Sequence, residues 1–84
     1  MDEKRALLAR AQAMRRISSG IEAEWWAGYI RGLRRHIHGA EFGTEEEHRL
    51  WMNATGDATR DALSAGYKAG LSGEWHTPDE SQPS

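Results

Sequence analysis

Cysteine is absent from this 84-residue chain, and so is valine; proline occurs twice and phenylalanine once. Without cysteine there is no disulfide to brace a small core, no thiolate zinc site and no cysteine nucleophile. Such a chain suits a reducing cytoplasm. Without valine, and with only four isoleucines, β-branched apolar residues are scarce where a sheet would need them. Nothing alternates with period two for long enough to make a strand. No apolar run approaches the roughly 18 residues that read as a membrane span. The opening Met1-Asp2-Glu3-Lys4-Arg5 offers no signal-peptide core. The expectation is one all-α domain, cytoplasmic and free of membrane, at a size where a single core is only marginally sufficient.

Positive charge in excess is also missing. The net charge is −2 and the pI about 6.1, which opposes a generic nucleic-acid binder driven by phosphate neutralisation but leaves room for a local basic patch.

What the chain does contain is helix signal. Residues 3–17 join strong helix formers to an acidic start and an arginine-rich end, matching the macrodipole. Leu7, Ala11 and Met14 make a thin apolar stripe, flanked by Leu8 and Ile17. Ser18-Ser19-Gly20 punctuates, and Ser19 with Glu22 fits a capping box that opens a second helix over 20–38. A single helix from 3 to 38 is the rival reading, since the apolar phase carries across; it would extend about 54 Å and leave most of its surface uncovered. On the second helix Trp25, Trp26, Gly28, Tyr29, Ile30, Gly32, Leu33 and Ile37 sweep half the circumference. Gly39 follows as a C′ glycine. Phe42 reads as an anchor in the loop that follows. Thr44 with Glu47 forms a second capping box before a third helix (45–55) through His48, Leu50 and Trp51. Asp57 caps a fourth (58–72). The chain thus divides into a helical domain over 1–73 and a flexible polar tail over 74–84.

One pattern occurs twice. Ala27-Gly28-Tyr29-Ile30-Arg31-Gly32-Leu33 returns as Ala65-Gly66-Tyr67-Lys68-Ala69-Gly70-Leu71, 38 positions later. Glycine inside a helix costs about 1 kcal/mol relative to alanine, so two pairs four apart need a reason. Close approach of two backbones supplies one: helices two and four cross on their glycines, with Tyr29 and Tyr67 packed beside the crossing. Charged flanks exclude the membrane version of this motif. Duplication of a helical hairpin is a further reading, although helices one and three do not align. The predicted fold is a bundle of three to four helices with helix two central.

Four tryptophans in so short a chain enlarge a scarce core. Trp25 and Trp51 are read as structural, and Trp75 as an exposed interface anchor. Arg31, Arg34, Arg35 and His38 gather at the end of helix two. They form either a solvated face paired with Glu41 and Glu45–Glu47, or a patch for a nucleic-acid backbone or acidic protein, which Arg15 and Arg16 would extend. His36-x-His38 has ligand types but no metal-site spacing, so no metal or cofactor is expected. No catalytic motif occurs, and no enzymatic activity is expected.

The run Gly28-Tyr29-x-x-Gly32-Leu33-Arg34-Arg35, then His38-Gly39, Phe42-Gly43-Thr44-x-Glu46-Glu47-His48, Leu50-Trp51 and Gly66-Tyr67-x-x-Gly70-Leu71 resembles short helical proteins encoded by phages and other mobile elements. The resemblance spans Trp25 to Leu71. It implies an accessory role of the kind played by inhibitors of host defence, the anti-CRISPR proteins among them, which occupy a surface on a host complex. Three readings follow. One is a protein-binding module, an inhibitor of a nucleic-acid-handling host complex, with Arg31, Arg34, Arg35, His38, Glu41, Glu45, Glu46 and Trp75 as candidate contacts. The second is a DNA- or RNA-binding regulator using the arginines. The third is a structural homodimer.

Overall fold

The computed structural model describes residues 3–39, 45–53 and 55–78. Four helices make up an all-α bundle: α1 (Glu3–Ile17), α2 (Gly20–His38), α3 (Glu45–Met52) and α4 (Ala58–Leu71). The chain breaks between α1 and α2, where Gly20 takes a φ of 60° that most residues resist. Ser19 adopts the extended N-cap backbone but its side chain makes no cap bond. The predicted hydroxyl half of that capping box is therefore missing. Ser18 instead donates to the carbonyl of Met14 at 2.7 Å. Asp57 caps α4 by accepting from the backbone N–H of Arg60 at 2.9 Å. Thr44 and Phe42 lie outside the described residues.

The bundle is organised by the crossing of α2 on α4. A Cβ added to Gly28 would fall within 3.0 Å of the Leu63 carbonyl and the Tyr67 nitrogen; one on Gly32 would overlap the Tyr67 carbonyl. Gly66 and Gly70 return the contact, meeting the carbonyls of Trp25 and Tyr29. Thus the hydrogen that replaces each Cβ faces a carbonyl oxygen on the opposite helix, the setting of weak Cα–H···O contacts. Four residues forward on α2 correspond to four forward on α4, so the two helices run parallel. Each contact also has a counterpart 38 positions away, which makes the sequence repeat an approximate two-fold relation within the fold.

With backbones touching, large side chains are displaced to the flanks of the crossing. Trp25, Trp26, Tyr29, Leu33 and Tyr67 are the largest fully buried side chains. Trp25 stacks on Tyr29 with centroids 5.4 Å apart, and Trp26 meets Trp25 edge-on at 4.8 Å. Helix α1 folds back over this side, burying Ala11 and packing Leu7, Leu8 and Met14 against the cluster. Ile17, placed on the flank of that stripe by periodicity, is 78% exposed. It stands at the last residue of α1, beyond the reach of α2's apolar face.

The boundary drawn at Gly73 needs correction. Gly73 turns with a φ of 75°, and both it and Pro78 are buried. The segment 73–78 lies across the aromatic cluster. Lys4 Nζ donates to the Gly73 carbonyl at 2.7 Å, and the Tyr29 hydroxyl donates to the Glu74 carbonyl at 2.5 Å. Trp75 packs on Trp26 at 5.3 Å, with the Arg10 guanidinium 4.0 Å above its ring. It is a half-buried part of the core rather than an exposed anchor, because Trp26 and Tyr29 leave an aromatic surface that α1 alone does not cover.

Gly28→Ala is expected to lower the free energy of unfolding by about 3 kcal/mol, since the methyl must push rigid backbone apart. Gly20→Ala, where nothing lies within 4 Å of the added carbon, is expected to cost about 1 kcal/mol, for backbone strain alone. Urea unfolding of the two variants beside the parent checks the ranking.

Candidate functional site

Because α2 and α4 are parallel, the chain between them must travel back along the bundle. Helix α3 makes that return; it packs on α4 and reaches the arginine face of α2 through its side chains. Its eight residues include none that is buried, so polar contacts position it. Glu47 pairs with Arg31 at 3.2 Å and Glu45 with Arg35 at 2.9 Å. Rising numbers on α2 meet falling numbers on α3, as an antiparallel return requires. His48 Nδ1 lies 2.7 Å from the Tyr67 hydroxyl, which donates to it when that nitrogen is unprotonated. Trp51 is held between two guanidiniums, Arg60 at 4.0 Å and Arg31 at 5.6 Å from the ring centre. Arg60 also donates to the Leu50 carbonyl at 2.9 Å.

The turn from α3 into α4 is fixed by one carboxylate. Asp61 accepts from the backbone N–H groups of Thr55 (2.6 Å) and Gly56 (2.9 Å), and from the Thr55 hydroxyl (3.1 Å). These bonds, the Thr55 N–H foremost, hold its carboxyl below the usual aspartate range.

The predicted site residues therefore part company. Arg31 and Arg35 face α3 and are paired with its acids. Arg34, half-buried between them in sequence, has no hydrogen bond or ion pair among the described residues. It lines a cavity of 290 Å³ with Arg15, Glu24, Arg31 and Trp51. His38 is drawn away from the arginines and lines a separate space of 300 Å³ with Arg5, Leu8 and Gln12 of α1. Glu46 is exposed at the start of α3, and Glu41 lies outside the described residues. Trp75 is on the other flank, in the aromatic cluster. His36 Nδ1 sits 3.0 Å from the Leu71 carbonyl, at the end of α4. Among the described residues no three His, Asp or Glu side chains gather as metal ligands would. None of the helices is long and apolar enough to cross a membrane, again among the described residues.

Sequence reading anticipated the arginines but not the large apolar side chains left exposed. Ile17 and Ile21 are 78% and 45% exposed, and Leu50 and Met52 are 55% and 38% exposed. Ile17 follows Arg15 by two residues, Ile21 precedes Glu24 by one helical turn, and Leu50 and Met52 flank Trp51. The missed signal is the position of Ile17 and Ile21 on either side of a helix break, where no face continues.

No protein-family model matches this chain, and neither a curated protein sequence nor a solved structure matches it significantly. The cavity and its rim are thus read from their own chemistry.

Two expectations follow. Converting both Glu45 and Glu47 to glutamine is expected to change stability by about 1 kcal/mol or less, because solvent screens both pairs; the urea midpoint measures it. Burial raises the ionisation of both the Tyr29 and Tyr67 hydroxyls above 10.0. Below pH 10 both states keep their phenolic protons and the tyrosines add no pH dependence. As pH climbs past 10 the unfolded chain ionises first, so stability falls until the folded phenols also titrate. Urea unfolding across that range, with tyrosinate absorbance as the titration signal, checks the sign; the fall is expected to be shallower in Tyr67→Phe.

Proposed function

We propose that the protein is a small helical protein-binding module, and that its contact face is the groove between the end of α1, the middle of α2 and α3. The observation that carries this reading is that Arg15 and Arg34, whose guanidiniums are unpaired among the described residues, line one cavity with Ala27, Ile30, Trp51 and Leu63, on a molecule that also leaves Ile17, Ile21, Leu50 and Met52 exposed. Arginine inside an apolar surround is the composition that binding hot spots favour. The complementary occupant is a protein segment that carries acidic and apolar side chains together.

Direct binding to nucleic acid is the weaker reading. Glu45 and Glu47 already neutralise Arg35 and Arg31, and the chain as a whole is acidic. A homodimer would bury the same apolar side chains, but nothing observed favours a second copy over another protein. The more specific role, inhibition of a host defence complex such as CRISPR–Cas, draws its support from the likeness of Trp25–Leu71 to phage-encoded accessory proteins.

Affinity capture from a bacterial host, with quantitative mass spectrometry, tests the module. The expected result is a saturable partner that Ile21→Asp with Arg34→Glu removes and Arg16→Glu retains. Equal recovery by both variants, or no saturable partner, would count against the reading. Salt-sensitive retention of nucleic acid that collapses when Arg31, Arg34 and Arg35 become glutamine would favour the regulator instead.

A further inference from the structure

We infer that the 290 Å³ cavity is a carboxylate pocket, which receives an acidic side chain of the partner protein together with its apolar stem. The inference rests on the binding-module reading and names what enters the groove.

Charge decides the ligand class. Three guanidiniums line the cavity, those of Arg15, Arg31 and Arg34, against the carboxylate of Glu24. Arg31 is paired with Glu47 at 3.2 Å. Counting both acids, one positive charge is left over. A monoanion neutralises it, whereas a phosphate monoester with its second charge would overfill the site and press against Glu24. Donor count agrees. An ionised carboxyl offers about four acceptor positions, and two guanidinium forks present four N–H groups in matching pairs. The guanidiniums of Arg15 and Arg34 have no hydrogen-bond or ion-pair partner among the described residues, and they supply those forks.

Trp51 is part of the cavity lining, and its indole nitrogen is buried without a hydrogen-bond partner among the described residues. Its N–H resonance therefore reports on whatever enters the cavity. The rest of the wall is Ala27, Ile30 and Leu63. It gives an apolar seat for methylene or ring carbons, and the volume exceeds what a bare carboxylate fills. The space is near the lower end of ligand pockets, about 300 Å³, so one side chain suits it and a larger cofactor does not.

Three small probes separate the possibilities: benzoate, its neutral isostere benzamide, and phenyl phosphate. Each is titrated into the ¹⁵N-labelled protein while the four indole N–H resonances are followed, the Trp51 signal being assigned with Trp51→Phe. Benzoate is expected to move the Trp51 signal saturably and to leave those of Trp25 and Trp26 in place. It is expected to bind roughly tenfold more tightly than benzamide, the margin of a charge-assisted hydrogen bond. Arg15→Gln with Arg34→Gln is expected to abolish the benzoate shift, while Arg16→Gln preserves it. Equal response to benzamide, tighter binding of phenyl phosphate, or a Trp51 signal that never moves would overturn the assignment. The benzoate-to-benzamide comparison needs only the parent protein, so it stands even if the double variant fails to fold. A partner whose capture is indifferent to Arg15→Gln with Arg34→Gln would sink the carboxylate pocket and leave the module intact. Benzoate binding with no partner recovered would do the reverse.

Discussion

Backbone contact between α2 and α4 is the constraint from which the rest of this molecule follows. Four glycines bring each helix against carbonyl oxygens of the other, closer than any side chain would permit. Ordinary helix packing separates axes by 8–10 Å with side chains interdigitated between them; here there is no layer to interdigitate. The aromatic rings are expelled sideways instead. Tyr29 goes to the flank covered by α1 and the 73–78 segment, where Trp25, Trp26 and Trp75 join it. Its repeat counterpart Tyr67 goes to the flank covered by α3 and meets His48. The two copies of one pattern are thus finished by different neighbours.

The parallel sense of the crossing explains why α3 is where it is. A chain leaving the end of α2 must come back before it can start α4 in the same direction. What returns is a short, acid-rich helix with no buried residue, and α2 receives it with arginines. Such exposed pairs contribute little energy; their value is in direction and register. The consequence for function is that Arg31 and Arg35 are engaged by acids of α3, while Arg34 keeps its charge available in the cavity it lines with Trp51 and Arg15.

Much of this was legible in the residues. Glycine is costly in a helix, so a doubled glycine pair announces a close crossing without any structure in hand. Asp57 marks a helix start because its carboxylate satisfies a free N–H group there, and Ser19 marks the start of α2 although its side chain makes no such bond. The buried face of α2 follows from its period. Other features were not legible, for physical reasons. Periodicity says which face is buried but not which way the neighbour runs, so the parallel sense was hidden. Trp75 stands among polar residues and ahead of a proline, and only the uncovered rings of Trp26 and Tyr29 reveal why it docks. Arg31, Arg34 and Arg35 are alike in sequence, and their division into paired and unpaired depends on a helix placed by the return path. The exposure of Ile17 and Ile21 comes from the break between α1 and α2, an angle that no local pattern encodes.

The bond from Lys4 to Gly73 joins residues 69 positions apart, and Trp75 rests beneath Arg10 in the same neighbourhood. The earliest and latest parts of the described chain therefore close one wall together. A ribosome releases these parts about 5–20 residues per second, and helices form far faster than that. During synthesis α1 and α2 have time to pair while the rings of Trp26 and Tyr29 still lack their cover. The crossing itself cannot form until α4 has emerged, and the aromatic wall cannot close until 73–78 follows. Maturation of this fold is in that sense a single late event, set by the order in which the chain is delivered.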